Sequence, residues 1–465
     1  MKLYNTLSRH NEEIQPLNPP VVTVYTCGPT VYDYPHVGNW FTFIRYDLLV
    51  RSLAIANLQP KWVMNITDVG HLVSDADEGE DKLEKGARRE GKTAWDVAAF
   101  YGDYFVKALA RLNIKQPDYL PKATEHIAEQ IDLIKQLEAK GYTYTISDGV
   151  YFDTKKFPTY ADFARLDIDE QQAGARVEYN PEKHAITDFA LWKFSPTDQQ
   201  RDMEWDSPWG KGFPGWHLEC SAMSMKYLGE TIDIHSGGID HIPVHHTNEI
   251  AQSEAATGKP FARYWMHTNH ISVDGEKISK SLGNGITLED IETKGFSLEA
   301  FRLHVLESHY RSQSKFSWES LEAAQNRLRA YLAMADRRWQ PTDDGLTDHD
   351  LADYHRTISE ALQNDLDTPT VLAELSRLET NVSNSGINSS SQKAFGELLE
   401  WLDDALGLSL AARADITAEQ KQMIADREAA RANNDWSTSD KLRDQLSKQG
   451  ISLRDTPAGA VWSRN

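Results

Sequence analysis

Two cysteines, far apart in the chain, carry the most distinctive chemistry of this 465-residue sequence. Cys27 ends the alternating run V-V-T-V-Y-T-C, and Cys220 lies in W-H-L-E-C-S-A-M-S. A helix that begins at Pro243, where the missing N–H costs nothing, places His245 and Glu249 one turn apart on the same face. Two thiolates, one imidazole and one carboxylate form a tetrahedral donor set that favours zinc over magnesium or calcium.

The same residues also have simpler explanations. Cysteine in a reducing cytosol is often a small buried hydrophobe. His241, His245 and His246 are equally compatible with hydrogen-bonded positions at a helix end, and Pro243 argues against one helix carrying both His241 and His245. Glu249 is also compatible with a general base, because H-x-x-x-E is not a zinc-protease motif. Spacing alone therefore leaves a metal site and a structural role open.

Composition predicts a cytoplasmic globular protein of two to four domains. Hydrophobic residues make up 40% and charged residues 26% of the chain, which is ordinary for this class. No apolar run is long enough to cross a bilayer, and the first residues lack the core of a signal peptide. Two cysteines give no disulfide framework.

The net charge of −21 counts against a non-specific nucleic-acid binder, which would be basic overall. The last 45 residues differ from the rest of the chain, because they hold eight basic and six acidic side chains. A slightly positive tail on an acidic body permits a local, selective contact with a polyanion.

The elements around Cys27 predict a parallel nucleotide-binding sheet. A strand over 21–27 is followed by H-V-G-N at 36–39, a helix to about residue 56, and a second strand that ends at Thr67. In such sheets ligands bind beyond the carboxyl ends of the strands, and the backbone N–H groups that begin the helix favour a phosphate. The alternative is that His36 caps the helix and Gly38 only allows a close contact.

Further along, E-K-I-S-K-S-L-G-N places Lys277 and Lys280 three residues apart among serines and glycine. This pattern predicts a mobile cationic loop that binds a triphosphate. A solvated, lysine-rich turn explains it equally well when it is taken alone.

The remaining segments indicate an insertion and a helical C-terminal region. We expect 158–214 to be irregular and inserted into the sheet. After a cap at Thr287, helices are predicted over 298–309, 318–339, 349–379 and 392–406, the last ended by Gly407. A helical pair and a small hairpin complete the chain.

In this order the motifs resemble those of class I aminoacyl-tRNA synthetases, and specifically the cysteinyl-tRNA synthetase family. H-V-G-N and K-I-S-K-S match the two signatures of the class. The more specific matches lie between Cys27 and Gln313: C-G-P-T-V-Y-D, N-I-T-D, D-F-A-L-W-K, S-P-W-G-K-G-F-P-G-W-H-L-E-C-S-A-M, H-H-T-N-E-I-A-Q and H-Y-R-S-Q. Beyond Gln313 the resemblance rests on the helical layout.

The resemblance implies an α/β fold: a Rossmann-like parallel-sheet catalytic domain with an inserted connective domain, followed by a C-terminal helical bundle and a small α/β anticodon-binding tail. The implied boundaries are 1–111 for the first half of the catalytic domain, 112–214 for the connective insertion, 215–267 for the second half with the zinc site, 268–320 for the stem-contact region with the K-I-S-K-S loop, 321–412 for the helical bundle and 413–465 for the anticodon-binding domain.

The resemblance also assigns site residues and partners. The family's zinc ligands fall on Cys27, Cys220, His245 and Glu249, with one zinc per chain. Its contacts with the substrate cysteine fall on Gly28, Thr30, Thr67, Trp216 and Asp240. Its ATP contacts fall on His36, Asn39 and Lys280, which with Lys277 form the catalytic set, and Mg²⁺ accompanies ATP. Its anticodon contacts fall on Arg431, Trp436 and Asp455. The implied partners are tRNA(Cys), ATP and L-cysteine, without a membrane, and we expect a monomer.

The sequence departs from the family pattern at four places. Asn39 replaces the second histidine of H-I-G-H, Ile278 replaces a methionine, and Val244 replaces a proline. S-G-G-I-D, at 236–240, replaces G-G-G-S-D. Because asparagine can still donate a hydrogen bond to phosphate, we expect altered ATP affinity and retained activity.

The implied reaction joins cysteine to tRNA through a cysteinyl adenylate, with cysteine selected because its thiolate coordinates zinc. Two rival functions remain at this point. One is a ligase that joins cysteine to an amino sugar with the same adenylation chemistry, although the C-terminal third is superfluous for a sugar acceptor. The other is a non-catalytic paralogue, against which the intact K-I-S-K-S loop and the complete donor set argue.

Overall fold

The computed structural model describes residues 1–70, 81–166, 180–196, 201–278, 284–456 and 459–464, without the side chains of Lys82 and Lys277. The helices of these residues are α1 (Val37–Ile55), α2 (Lys82–Glu90), α3 (Ala94–Arg111), α4 (Ile127–Ala139), α5 (Trp216–Leu228), α6 (Thr247–Thr257), α7 (Leu288–Thr293), α8 (Leu298–Leu306), α9 (Trp318–Asp336), α10 (Asp348–Gln363), α11 (Thr368–Ser385), α12 (Gln392–Leu406), α13 (Ala418–Ala432) and α14 (Trp436–Lys448). Among them, none is both long enough and apolar enough to cross a membrane.

The strands of the same residues are β1 (Lys2–Asn5), β2 (His10–Glu13), β3 (Val21–Thr26), β4 (Gln59–Met64), β5 (Thr143–Ile146), β6 (Gly149–Phe152), β7 (Phe189–Phe194), β8 (Gly212–Pro214), β9 (Ile232–Gly238), β10 (Ala262–Thr268), β11 (Ile271–Val273), β12 (Glu276–Lys277), β13 (Ser314–Phe316), β14 (Ile451–Thr456) and β15 (Gly459–Arg464). The chain forms two compact units. The first comprises 1–298, 308–317 and 363–366, and the second comprises 299–307, 318–362 and 367–465.

A four-stranded parallel sheet organises the first unit. Its order is β10-β9-β3-β4, so the chain leaves β3 for one side through α1 and β4 and later fills the other side with β9 and β10. The strands β3 and β9 therefore flank the point where the direction of winding reverses, which is where open α/β sheets bind ligands. The predicted strand, helix and strand at 21–67 are confirmed in type and order.

Asp233 fixes the register of β3 against β9. Its side chain is 1% exposed and accepts hydrogen bonds from the backbone N–H of Leu17 (2.7 Å), the backbone N–H of Thr23 (2.9 Å) and the Thr23 hydroxyl (2.9 Å). The two strands then pair Tyr25 with His235. The same register brings the residues after both strands to one edge of the sheet.

A second, antiparallel sheet lies in the insertion, with the order β5-β6-β7-β8. The expectation that 158–214 is irregular was wrong for β7 and β8. The run F-A-L-W-K-F of β7 has no polar–apolar alternation because its first four residues are all buried, and alternation marks only strands with one exposed face.

The second unit is mainly helical and ends in a small α/β domain. The single helix predicted over 349–379 is wrong, because the chain forms α10 and α11 with a turn between them. Asp365 and Leu366 adopt positive φ angles of 58° and 55°, and Asp367 then caps α11, with Pro369 in its first turn. The helix over 392–406 and its end at Gly407 are confirmed, as are the final helical pair and hairpin.

We expect Asp233→Ala to lower the free energy of unfolding of the first unit by about 3 kcal/mol, because three part-buried donors on Leu17 and Thr23 lose their hydrogen bonds to a buried carboxylate. Differential scanning calorimetry would show this as a lower Tm. Asp132→Ala, at a side chain that is 67% exposed, is the matched control and should leave Tm nearly unchanged. Equal Tm values for the two variants would contradict the role given to Asp233.

Candidate active site and metal centre

Four side chains from distant parts of the chain meet at the carboxyl edge of the parallel sheet. Cys27 directly follows β3, Cys220 lies in α5, His245 lies in the turn before α6, and Glu249 lies in the first turn of α6. One ligand atom from each lies within 4.8 Å of all the others, and all four residues are buried. Two sulfurs, one nitrogen and one oxygen at this spacing fit a zinc ion.

The turn before α6 brings the last two donors together as the sequence suggested. Ile242–His246 form a wide helical turn with Pro243 in its first positions, and Thr247–Thr257 continue as an α-helix. His245 Nε2 and Glu249 Oε1 are 2.9 Å apart across one turn. Wide turns of this kind are rare in proteins, and those that occur are frequently found at functional sites.

The electrostatics of three of the four donors favour a cation, whereas burial raises the pKa of the Cys27 thiol. Burial opposes charge on His245, but Glu249 and Cys220 outweigh it and raise the pKa of His245 to about 10. Burial likewise opposes ionisation of Glu249, yet His235 and His245 hold the pKa of Glu249 at about 2. The hydrogen bond from Cys27 lowers the pKa of the Cys220 thiol. This cluster therefore attracts positive charge at its centre, which is the property a metal centre requires.

Histidines that the sequence analysis did not select surround the four donors. His217 Nδ1 lies 2.9 Å from His245 Nδ1, and His235 Nε2 lies 2.8 Å from Glu249 Oε2. Hydrogen bonds of this kind orient metal ligands and set their tautomers. The available signal was the position of His235 five residues before Asp240, close to the predicted metal ligands His245 and Glu249.

A second chain of histidines begins at Cys27. His246 Nε2 is 3.4 Å from Cys27 Sγ, and His246 Nδ1 is 2.8 Å from His267 Nε2. His267 Nδ1 then lies 2.8 Å from the hydroxyl of Thr6. Burial, followed by the effect of His235, lowers the pKa values of His246 and His267, so both rings are neutral at pH 7.

These histidines create an alternative donor set. Cys27, His235, His246 and Glu249 also bring ligand atoms within 4.8 Å of one another. The set shares Cys27 and Glu249 with the first one, but it replaces a thiolate with an imidazole. Both sets suit zinc, and the set with two thiolates is the more selective for a thiophilic ion.

The residues expected to contact the substrate cysteine surround the same edge. Gly28 donates its N–H to Asn65 Oδ1 (2.8 Å), and a side chain at Gly28 would collide with the backbone of Asn65. Thr30 and Thr67 pair as an isolated parallel bridge. The ring of Trp216 lies on that of His245, with centroids 4.4 Å apart.

A cavity of about 540 Å³ extends from this edge to the H-V-G-N segment. Its walls include Cys27, Gly28 and Asp240 at one end and His36 and Asn39 at the other. The structure thus connects the predicted metal and amino-acid residues with two of the predicted ATP residues. Thr30, Thr67 and Trp216 lie outside this wall.

The side chain of Asn39 has a structural partner. Its Oδ1 accepts a hydrogen bond from the backbone N–H of His36 (3.0 Å), which caps the N-terminus of α1. The amide nitrogen of Asn39 keeps its two donors for other partners. Gly38 brings Ile278 close, because a Cβ there would lie 2.9 Å from Ile278 Cδ1. The H-V-G-N and K-I-S-K-S segments therefore contact each other.

The segment after the K-I-S-K-S motif contacts α1 and α3, whereas Lys280 lies outside the described residues, as does the side chain of Lys277. After the loop, the carbonyl of Ile286 accepts a hydrogen bond from Val37 N–H at the start of α1 (2.8 Å). Next, Arg111 of α3 pairs with Glu289 (2.7 Å) and Glu292 (2.6 Å) of α7.

The predicted anticodon residues meet in the C-terminal domain. Arg431 Nη1 lies 3.2 Å from Asp455 Oδ2, and its guanidinium lies 5.5 Å from the ring centre of Trp436. Trp436 is 55% exposed. Arg427, which the sequence analysis missed, is buried and donates two hydrogen bonds to Asp455 (2.7 and 3.0 Å). The hydrogen bond from Arg427 also lowers the pKa of Asp455.

Two family models match the chain. Residues 13–326 match the catalytic domain of class I (C) tRNA synthetases, and residues 413–462 match the anticodon-binding domain of cysteinyl-tRNA ligases. The cysteine–tRNA ligase of Treponema denticola is 41% identical over 100% of this chain and 99% of its own. Cysteine–tRNA ligase 1 of Burkholderia lata is 46% identical over 99% of this chain and 96% of its own.

Among solved structures, methionyl-tRNA synthetase of Mycobacterium tuberculosis in complex with methionyl-adenylate has the same fold. Its TM-score is 0.60 at 14% sequence identity, over 84% of this chain and 92% of that one. The expected α/β architecture with a parallel sheet and a helical C-terminal region is confirmed. The chain belongs to the cysteine–tRNA ligase family of class I aminoacyl-tRNA synthetases.

Proposed function

We propose that this protein ligates L-cysteine to tRNA(Cys) through a cysteinyl adenylate and selects cysteine with a zinc ion held by Cys27, Cys220, His245 and Glu249. Family membership gives the coarser part, aminoacylation of tRNA with cysteine. The observation that carries the finer part is the convergence of four buried donors at one end of the cavity that also reaches His36 and Asn39.

In the first step, the carboxylate of cysteine attacks the α-phosphorus of ATP, and pyrophosphate leaves. The protein supplies no nucleophile in this step, so its contribution is positioning and charge stabilisation. His36 and the N-terminus of α1 face the cavity and favour phosphate oxygens. Lys280 of the K-I-S-K-S motif adds a positive charge, and Mg²⁺ accompanies the nucleotide.

Selection of cysteine is the task of the metal site. Zinc, when bound, supplies a thiophilic Lewis acid that favours a deprotonated sulfur over the hydroxyl of serine. A pocket without such an ion separates near-isosteric side chains by only about 1–3 kcal/mol. The four residues would hold the ion, and Trp216 packs on His245, one of these four.

In the second step, a terminal ribose hydroxyl of the tRNA takes the cysteinyl group and AMP leaves. The C-terminal domain supports tRNA as the acceptor, because an exposed tryptophan beside an arginine is a platform on which a base can stack. An amino-sugar acceptor would leave this domain without a purpose. That rival therefore has less support than tRNA.

The function is tested by cysteine-dependent ATP–pyrophosphate exchange and by aminoacylation of tRNA(Cys), each with and without a zinc chelator. We expect both activities in the zinc-loaded protein and the loss of both after chelation, with recovery when zinc is returned. An inactive zinc-loaded protein would support the non-catalytic paralogue. Exchange without transfer to tRNA, but with transfer to an amino sugar, would support the other rival.

Single substitutions distinguish the two donor sets. Cys220→Ala and His245→Ala should abolish stoichiometric zinc and cysteine activation together, because each removes a direct donor. His246→Ala is the matched control: the proposed set survives, and affinity for zinc should fall roughly 10- to 100-fold through the lost contact with Cys27. Zinc content by atomic spectroscopy and zinc affinity by chelator competition are the measurements. If Cys220→Ala binds zinc fully and His246→Ala binds none, the metal is held by the alternative set of Cys27, His235, His246 and Glu249.

Trp436→Ala should raise KM for tRNA(Cys) roughly tenfold, because base stacking on an aromatic ring is worth about 1–3 kcal/mol. Pyrophosphate exchange should not change, since cysteine activation precedes the contact with tRNA. Trp95→Ala removes another exposed tryptophan, 45% exposed in the first unit, and serves as the control. An unchanged KM for tRNA in Trp436→Ala would remove this residue from the proposed tRNA contact.

A further inference from the structure

His241 is a histidine of the cavity wall that the proposed chemistry does not yet use. It ends the short turn Ile239–His241 directly after β9 and Gly238, and it lines the cavity beside Asp240. Its ring centroid lies 5.0 Å from that of His245, the imidazole of the proposed donor set. His241 is in neither of the two donor sets.

The two nitrogens of His241 have different surroundings. Nδ1 is buried and has no hydrogen-bond partner in the described part of the chain. It lies against Gly237, where an added Cβ would come within 2.8 Å of it. A buried N–H without a partner is costlier and rarer than a buried acceptor without one. A proton is therefore favoured on Nε2 rather than on Nδ1, which lies against Gly237.

The charges of the site create a need for such a donor. Two thiolates and the Glu249 carboxylate already outnumber the charges of a divalent cation, and a substrate thiolate adds a further negative charge in a buried place. Negative charge that is buried without donors is strongly unfavourable, whereas an N–H group directed at it forms a strong hydrogen bond. An imidazole N–H of His241, on the wall of the cavity, supplies such a donor.

We propose that His241 is a specificity-determining residue whose Nε2–H donates a hydrogen bond to the sulfur of the bound cysteine. This inference rests on the proposed function, because it takes as given that cysteine binds with its sulfur at the four donors. The ring of Trp216 meets that of His241 edge-on at 6.2 Å, so the two side chains enclose the same corner of the site. The sulfur, rather than the carboxylate, is assigned to His241 because its ring lies beside that of His245, a member of the proposed donor set, with centroids 5.0 Å apart.

The test compares three variants in the zinc-loaded full-length protein by isothermal titration with L-cysteine. His241→Leu keeps the bulk and removes the donor, so the Kd for cysteine should rise roughly 10- to 100-fold. His241→Gln places an amide N–H near the position of Nε2 and should restore most of the affinity. His241→Asn places it near Nδ1 and should behave like His241→Leu. His349→Leu, at a side chain that is 85% exposed, is the control.

Two further readouts separate the possible explanations. Zinc content and KM for ATP should be unchanged in His241→Leu, whereas a loss of zinc would show that His241 acts on the metal site and would overturn the proposal. Cysteamine keeps the thiol and the amine but lacks the carboxylate, so His241→Leu should weaken the binding of cysteamine as much as that of cysteine. If His241→Leu binds cysteamine as tightly as the parent protein does, the assignment to sulfur is overturned. If His241→Leu binds cysteine as tightly as the parent protein does, the inference fails while the proposed function stands. If the zinc-loaded parent binds no cysteine, the proposed function itself fails.

Discussion

The rest of this site depends on one constraint: four buried donor side chains lie close together, and their charges favour a cation between them. Thiols and a carboxylate gathered at one point in a buried place would repel one another on ionisation, unless a cation lies between them. The chain moderates this cost with His245, whose pKa rises to about 10 between Cys220 and Glu249. A zinc ion satisfies the same demand and adds affinity for sulfur. In the proposed function, selection of cysteine thus follows from how the chain neutralises its own buried charge.

The parallel sheet supplies the precision that this arrangement needs. The donors come from the end of β3, from α5 and from the region of α6, so no local segment could hold them at ligand distance. Asp233 sets β3 against β9, and the histidines behind the donors fix the direction of each ligand. The cavity then runs from the four donors to the start of α1, so the proposed function brings the amino acid and the nucleotide together at one edge of the sheet. Regular elements of the described chain therefore surround the proposed chemistry.

The sequence predicted those parts of the molecule that depend on local patterns or on motifs with a single purpose. Alternation predicted β3, glycine predicted the end of α12, and the His-x-x-x-Glu spacing placed His245 and Glu249 on one turn. Local reasoning failed where tertiary contacts decide. β7 is buried along most of its length and lacks alternation, and α10 ends where Asp365 binds Tyr310 and Arg311 from another segment.

The surrounding histidines were missed for a similar reason. His217, His235, His246 and His267 lie in four separate elements, and nothing in their sequence spacing links them. Arg427 lies one turn before Arg431 on α13. It was missed because its partner, Asp455, lies 28 residues later in the hairpin, and nothing in the sequence links the two. Pairings of this kind become visible once the register of the strands is known. Motifs gave the direct donors, and the structure adds the residues that orient them.

X-ray absorption at the zinc edge tests the central claim most directly, because it counts the sulfur atoms around the metal without reference to turnover. The account predicts a first shell of two sulfurs with lighter donors in the purified zinc-loaded protein, from Cys27 and Cys220. Addition of L-cysteine should add one sulfur to that shell, and addition of L-serine should leave it unchanged. A shell that gains no sulfur when bound cysteine saturates the protein would contradict selection by the metal, whatever the enzyme's activity.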